Sequence, residues 1–237
     1  MNGLLLCELH AHTTWSDGQL TPGGLVDLYG EHGFDVLCVT DHSVRLDDPM
    51  PNAVDSWTWP AYITELRSEA ERAYEQYRLV VIPGLELSDN RDDPDLSAHA
   101  LALGLDQHVS VDNGIVDALE AANDLRAAVI AAHPCAPGDA MSSRATRRIA
   151  CEPETFRPLV HRYELLNRDE VFGWVAQARL APIASGDAHR AAHIESWKTL
   201  LPCEKDADAV VDYLRSRGRV CLMPFAAAVG DALPAAA

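Results

Sequence analysis

The sequence predicts an α/β fold in which strands alternate with helices. Two observations support this class: seven short apolar runs have the composition of buried strands, and amphipathic segments with helix-capping residues lie between them. Such alternation implies parallel strands joined by right-handed crossovers, either in an open doubly wound sheet or in a closed barrel. Periodicity alone leaves both architectures open. The strand runs are 3–10, 35–42, 78–87, 98–105, 127–134, 162–167 and 181–189.

Helix signatures follow most of these runs. In the first of them, Thr21 can act as the N-cap, Pro22 suits the first helical position and Gly33 can end the helix. A second helix is predicted over 61–77, where apolar residues recur at three- and four-residue spacing. The remaining predicted helices are 113–126, 169–179 with Asp169 as N-cap, and 206–217 with Asp206 as N-cap.

Length and composition predict one domain over 1–224, followed by an alanine-rich tail over 225–237. No apolar run approaches the roughly 18 residues that a membrane-spanning helix requires. The first residues also lack the basic start and the apolar length of a signal peptide. We therefore expect a cytoplasmic protein that does not bind membranes.

Charge and cysteine content make several function classes unfavourable. The six cysteines include no Cys-x-x-Cys pair, so neither a disulfide framework nor a thiolate zinc site is predicted. The formal net charge of −17 disfavours a long nucleic acid as a partner, because nucleic-acid binders usually carry basic stripes that neutralise phosphates. Divalent cations bound in the fold would add positive charge where a small phosphorylated substrate docks.

Potential metal ligands occur in or just after six of the seven strand runs. In a parallel α/β fold the carboxyl ends of the strands lie on one face, so these distant residues can converge there. They are His10, His12 and Asp17 for the first run, Asp41 and His42 for the second, Glu86 for the third, His99 for the fourth, His133 for the fifth, and Asp187 and His189 for the seventh. Mixed imidazole and carboxylate ligands suit zinc, manganese or iron.

Each of these motifs is a weak indication by itself. An isolated histidine in a strand is usually a hydrogen-bonded structural residue, and Asp41 could simply cap a turn. We interpret the other four histidines as structural, namely His32, His108, His161 and His193. The recurrence of ligand types at the same end of successive strands nevertheless predicts a multinuclear metal site.

The order of the motifs resembles the PHP superfamily, which is named for polymerase and histidinol phosphatase. The motifs are "HAH", "SDG", "TDH", "GLE", a histidine in the next strand, "AHP" and "GDAH". "HTTWSDGQLTPGGLV" followed by "VTDH" is most similar to the branch of small phosphoesterases that includes nucleotide phosphatases and a short-RNA exonuclease. The resemblance implies a distorted (β/α)7 barrel with its metal site at the carboxyl ends of the strands.

The resemblance also implies two to three divalent metal ions, zinc, manganese or iron. The first would be held by His10, His12, Glu86 and Asp187, the second by Asp17, His42 and His189, and the third by Glu86, His99 and His133, with Glu86 bridging. No ligand position of the pattern is missing, which favours an active enzyme over a decayed relative.

The expected reaction is hydrolysis of a phosphomonoester of a small metabolite or nucleotide by a metal-bridging hydroxide. The candidates for handling a proton are Asp187, His189 and His42. The candidates for binding phosphate oxygens are Arg144, Arg190 and Arg45.

Three alternatives stay open: an exonuclease acting on short oligonucleotides, an amidohydrolase-type hydrolase, and a metal-binding module without turnover. The absence of a convincing lysine bridge at a strand end argues against the amidohydrolase. Nucleotide-cleaving relatives carry an insertion before the "AHP" strand, where this chain has only residues 106–126. Substrate identity is therefore the least transferable part of the resemblance.

Overall fold

A curled mixed sheet with helices packed against it forms the core of the protein. The computed structural model describes residues 3–140, 142 and 144–226. The strands in these residues are β1 (Leu5–Glu8), β2 (Val36–Val39), β3 (His42–Val44), β4 (Val80–Asp89), β5 (Ala98–Leu103), β6 (Ala128–Ala131), β7 (Arg162–Asn167), β8 (Glu170–Val171), β9 (Pro182–Ser185), β10 (Trp197–Leu201) and β11 (Cys221–Pro224). The helices are α1 (Pro22–Glu31), α2 (Trp59–Tyr77), α3 (Ile115–Asp124), α4 (Arg148–Cys151), α5 (Pro153–Phe156), α6 (Trp174–Gln177) and α7 (Ala207–Arg215), with a 3-10 turn at Ala191–Ile194.

The sheet order is β11-β10-β1-β2-β4-β5-β6-β7-β8, with β3 pairing to β4 and β9 pairing to β7. Neighbours β1, β2 and β4 are parallel, and β7 is parallel to both β6 and β9. The curl returns the segment after β9 to the end of β1, where Ala11 and Ala188 form a parallel bridge. The His12 N–H donates to the Ala188 carbonyl at 2.8 Å, which brings the "HAH" and "GDAH" motifs side by side.

The prediction of parallel pairing throughout is wrong for β5, which is antiparallel to both β4 and β6. Only residues 90–97 join β4 to β5, too few for the crossover that a parallel pair requires. Because β5 runs in the opposite direction, its amino end lies at the same rim as the carboxyl ends of its neighbours. His99 therefore reaches that rim from the second position of its strand and pairs in register with Ser88.

Helix starts are confirmed where a capping side chain was identified, with one exception. Thr21 accepts a hydrogen bond from the Gly24 N–H at 3.2 Å, and Asp206 accepts one from the Ala209 N–H at 3.1 Å. The prediction of a helix over 169–179, with Asp169 as N-cap, is wrong. Arg168 has a left-handed backbone (φ 53°) that turns the chain into a short hairpin, so the next residues form β8 and α6 begins only at Trp174.

Buried apolar side chains lie on both faces of the sheet. One cluster lies between the sheet and helices α1 to α3, and its members include Leu25, Tyr29, Phe34, Tyr62, Leu66 and Leu119. On the other face, Val210 and Leu214 of α7 belong to a second cluster with Leu5 and Cys7 of β1, and α7 contacts β4 and β6. Helix α7 thus covers the amino-terminal end of the sheet and leaves the opposite rim open.

The end of the described chain packs on the first of these clusters. Phe225 contacts Phe34, with a centroid separation of 4.9 Å, and its N–H donates to the Ser196 carbonyl at 2.8 Å. The rest of the predicted tail, 227–237, lies outside the described residues. None of the helices in the described ranges has both the length and the hydropathy that crossing a membrane requires.

Candidate metal centre

Two histidines and two carboxylates meet where β1, β4 and β9 reach the open rim. The Nε2 atoms of His10 and His12 lie 3.0 and 3.1 Å from Glu86 Oε2. Asp187 Oδ1 lies 3.6 Å from each of the same two nitrogens. The structure therefore brings together all four residues that the resemblance assigns to the first ion.

A second group forms around Asp17, which a tight loop returns to the end of β1. Asp17 Oδ2 lies 3.2 Å from His189 Nε2, and Asp17 Oδ1 lies 3.6 Å from His42 Nε2 and 3.7 Å from His12 Nδ1. These are the three residues expected for the second ion, with His12 as an additional neighbour. Gly18 allows the loop to close, because a Cβ at this position would lie 2.3 Å from the His12 carbonyl oxygen.

Asp41 of the "TDH" motif shapes this loop rather than joining the ligand groups. Its buried carboxylate accepts hydrogen bonds from the Thr13 N–H at 2.7 Å, the Thr13 hydroxyl at 2.7 Å and the Ser16 hydroxyl at 2.6 Å. Asp41 therefore links the end of β2 to the loop that carries Asp17.

The third group is Glu86, His99 and His133. Glu86 Oε1 lies 2.9 Å from His99 Nδ1 and 3.0 Å from His133 Nε2, while its other oxygen faces the first group. One carboxylate is thus shared between two groups, as the resemblance implies. His133 and Asp187 both have left-handed backbones (φ 32° and 44°), a conformation that non-glycine residues adopt mainly where strain serves a site.

Burial and the pairing of carboxylates with imidazoles shift the pKa values of the groups in the centre. Burial raises the pKa of Glu86, but His42 and His10 outweigh it and hold that pKa well below its usual range. Burial lowers the pKa of His42 to about 3, whereas in His10, His133 and His189 the facing carboxylates outweigh burial and raise the pKa above its usual value. Ionised carboxylates and a neutral imidazole are the protonation states that bind metal ions.

A direct test of fit is whether any buried donor lacks a partner. His12 Nε2 is buried and has no hydrogen-bond partner among the described residues, although it lies 3.1 Å from Glu86 Oε2. Leaving a buried polar atom unsatisfied costs about 1–3 kcal/mol. A cation among these nitrogen and oxygen atoms would satisfy it, so the residues fit a divalent metal ion.

Glu164 is the residue that sequence reasoning missed. Its buried carboxylate accepts a hydrogen bond from His10 Nδ1 at 2.9 Å and from the His133 N–H at 2.6 Å. Asn167 donates to the same carboxylate at 2.7 Å, and Ser185 donates to it as well. The bond from His10 Nδ1–H leaves Nε2 free to face the ligand groups. The sequence feature that could have indicated Glu164 is the presence of a glutamate inside the apolar run "RYELLN".

A cavity of about 590 Å³ opens onto these groups. Arg144 and Arg168 line it, and both lie near Asp187 Oδ2, with Arg144 Nη1 at 3.7 Å and Arg168 Nη2 at 3.3 Å. Arg144 Nη1 is buried and has no hydrogen-bond partner in the described part of the chain. Arg190 instead donates to His193 Nε2 at 2.8 Å, and Arg45 pairs with Asp47. Neither Arg190 nor Arg45 is among the described residues that line the cavity.

No family model and no curated protein matches this sequence, but solved structures do. One is a two-domain protein from Bacteroides vulgatus that contains a predicted PHP-like metal-dependent phosphoesterase, with a TM-score of 0.65 and 19% identity. This chain shares the fold of that PHP-like structure. That alignment covers 93% of this chain, which spans 64% of the length of the two-domain chain.

Two further solved structures share the fold of this chain over nearly its whole length. PsfC from Pseudomonas syringae has a TM-score of 0.57 and 15% identity, and the alignment covers 95% of this chain and 93% of PsfC. An amidohydrolase from Chromobacterium violaceum, solved with bound sulfate and no metal, has a TM-score of 0.58 and 14% identity, with coverage of 92% and 97%. The resemblance predicted from the motifs is thus confirmed at the level of the fold.

Proposed function

We propose that this protein is a metal-dependent phosphoesterase that hydrolyses a phosphomonoester of a small metabolite or nucleotide. The observation that carries the proposal is the convergence of nine predicted ligand residues into three groups, with Glu86 shared; beside them Arg144 Nη1 has no hydrogen-bond partner in the described residues and lies 3.7 Å from Asp187 Oδ2. Nitrogen and oxygen donors in this proportion suit zinc, manganese or iron. Multinuclear sites of this kind are typical of phosphoester hydrolysis.

In this proposal two to three divalent ions occupy the three groups. The ligands are His10, His12, Glu86 and Asp187 for the first, Asp17, His42 and His189 for the second, and Glu86, His99 and His133 for the third. The site would lie at one end of a seven-stranded barrel of β1, β2, β4, β5, β6, β7 and β9. The Ala11–Ala188 bridge supports that closure.

Divalent cations supply Lewis acidity that neutralises phosphate oxygens and acidifies water. The side chains of the protein bind and orient the substrate. Arg144 would donate its free Nη1–H to a phosphate oxygen, and Arg168 would contribute a second guanidinium from the same side of the cavity. Asp187, His189 and His42 are the candidates for moving a proton. His189 has the most exposed side chain of the three, at 23%.

The cavity volume and the lysine positions favour this proposal over its rivals. A cavity of about 590 Å³ is in the range of small-molecule sites rather than polymer-binding grooves. The chain has two lysines. Lys198 donates to Glu8 at 2.6 Å and Lys205 donates to Asp35 at 2.6 Å, so neither is available to bridge metal ions as in an amidohydrolase.

The test is to purify the protein from medium with manganese or zinc, count bound metal by mass spectrometry and measure phosphate release. The panel comprises simple monoesters, mononucleotides, bisphosphates, histidinol phosphate, short oligonucleotides and amide substrates. We expect two to three metal equivalents, and phosphate release from monoesters that chelation abolishes and manganese restores. Absence of bound metal would refute the proposal. Metal with amide cleavage alone would support the amidohydrolase, and metal without any turnover would support the binding module.

A double substitution tests the site directly. His12→Ala with Asp187→Ala removes ligands from the first group and should abolish turnover while leaving the far-ultraviolet circular dichroism spectrum largely intact. His32→Ala with Asp208→Ala is the matched control, because both residues lie outside the three groups. Full activity of the site variant would remove His12 and Asp187 from the proposed centre.

A further inference from the structure

A second cavity of about 390 Å³ lies at the opposite end of the sheet from the candidate metal centre. It adjoins the first residues of β7 and β9, whereas the metal-ligand candidates follow the last residues of parallel strands. We call it the arginine pocket. Its polar lining consists of Arg157, Arg179, Arg217, His161 and Tyr163.

The charged residues that line the arginine pocket are all basic. None of the described residues that line it is acidic, and none of its three arginines forms an ion pair with a carboxylate of the described residues. Some other arginines do pair with carboxylates: Arg126 lies 3.3 Å from Asp212, and Arg147 lies 3.3 Å from Asp95. A cluster of uncompensated arginines in a chain of net charge −17 creates a local positive potential that attracts an anion.

The residues that line the cavity carry hydrogen-bond donors. Arg217 is held in place because its Nη2 donates to the carbonyls of Arg157 at 3.0 Å and Val160 at 2.9 Å. His161 Nδ1 accepts a hydrogen bond from the Val129 N–H at 3.0 Å, so the ring proton resides on Nε2. Burial, and then the guanidinium groups of nearby arginines, lower the pKa of His161 to about 4. The imidazole is therefore a neutral donor at physiological pH.

We propose that the arginine pocket binds the phosphate group of a small molecule. Guanidinium groups match phosphate oxygens with paired N–H donors, and the lining combines three of them with an imidazole N–H and a phenol. The volume is that of a small-molecule site and leaves room for more than the phosphate itself. This binding does not depend on the proposed hydrolysis, because the pocket shares no residue with the metal centre.

The experiment follows the His161 ring resonances of the metal-loaded protein by NMR during titration with inorganic phosphate and, separately, with phenylphosphonate, which cannot be hydrolysed. We expect a saturable shift that chloride at equal ionic strength does not produce. Arg179→Gln should weaken the binding by at least about tenfold, since it removes one charged donor. Arg78→Gln is the matched control, because Arg78 has a similar left-handed backbone (φ 57° against 54°) and lies outside the pocket.

The outcomes separate cleanly. Tighter binding of phenylphosphonate than of inorganic phosphate supports an organic phosphate as ligand, and equal binding supports free phosphate. No His161 response at saturating phosphate, an equal response to chloride, or unchanged affinity in Arg179→Gln would overturn the proposal. Arg157→Gln provides a second variant with the same expectation. Loss of hydrolysis at the metal centre would leave this readout unchanged.

Discussion

Two buried polar clusters in this protein differ in whether their polar atoms satisfy one another. In the first, which we call the Glu8 cluster, Lys198 Nζ donates to Glu8 Oε2 at 2.6 Å and to Ser196 Oγ at 2.5 Å. The Tyr29 hydroxyl donates to the same Glu8 oxygen at 3.0 Å, and the Gly186 N–H donates to the other at 2.8 Å. This cluster needs no ligand and holds β1, β10 and the start of "GDAH" together.

The second cluster, the candidate metal centre, is incomplete by itself. Glu86 faces imidazoles rather than lysine or several N–H donors, and His12 Nε2 lacks a hydrogen-bond partner among the described residues. Glu8 and Glu86 are both buried carboxylates on strands of the same sheet. The comparison teaches that a buried charge does not by itself identify a ligand site. A better indication is a group of buried ligand atoms that converge and lack hydrogen-bond partners.

The largest effect is expected from Glu86→Gln. This change removes the carboxylate shared by two ligand groups, so turnover should fall by roughly 10³-fold, or about 4 kcal/mol of transition-state stabilisation. Steady-state kinetics and metal content measure the result. Glu71→Gln on the exposed face of α2 is the control. Turnover within threefold of the unmodified protein would show that Glu86 does not hold a catalytic ion.

The equivalent change in the Glu8 cluster should act on stability instead. Glu8→Gln leaves Lys198 buried without its counter-charge, which should lower the free energy of unfolding by about 3–5 kcal/mol. Urea unfolding of the metal-free protein measures it.

A double variant serves as the control for that prediction. Glu8→Leu with Lys198→Met removes both charges, so it should be less destabilised than Glu8→Gln alone. If the double variant is as unstable as the single one, packing rather than the unpaired charge explains the loss.

Glu164→Gln tests the link between a supporting residue and the metal ligands. The change weakens the hydrogen bond that orients His10, so metal affinity should fall by about 10–100-fold while the fold persists. Competition titration with a chromogenic chelator measures the affinity. Glu154→Gln on α5, which is exposed, is the matched control. Equal affinities would mean that His10 needs no such support.

The smallest expected effect is on the pH dependence of stability and involves His161, which lies away from the metal centre. His161 has a folded pKa of about 4, below the value of about 6.5 expected in the unfolded chain. The unfolded state binds more protons in this window, so the contribution of His161 is fully present above pH 6.5 and is lost as pH falls toward 4. His161→Gln should show a shallower loss of unfolding free energy between pH 6.5 and 4. An identical slope in urea unfolding would contradict this assignment.

The sequence was informative where the chemistry is local. The i, i+2 spacing of His10 and His12, the cap at Thr21 and the apolar runs all follow from short-range geometry. It was less informative for β5, because the hydrophobic pattern of a strand does not depend on its direction. Glu164 was missed for a related reason: whether a charged side chain reaches a site depends on neighbours that are distant in sequence.

The sequence by itself determined the class of elements, the ligand types and the PHP-type order of the motifs, because these depend on residue chemistry and on spacings of a few positions. Tertiary structure alone decided that His99 reaches the rim from an antiparallel strand, that Arg144 rather than Arg190 or Arg45 faces the cavity, and that arginines cluster at the opposite end. These outcomes depend on the curl and pairing of the sheet, which arise from contacts summed over the whole chain rather than from any one segment.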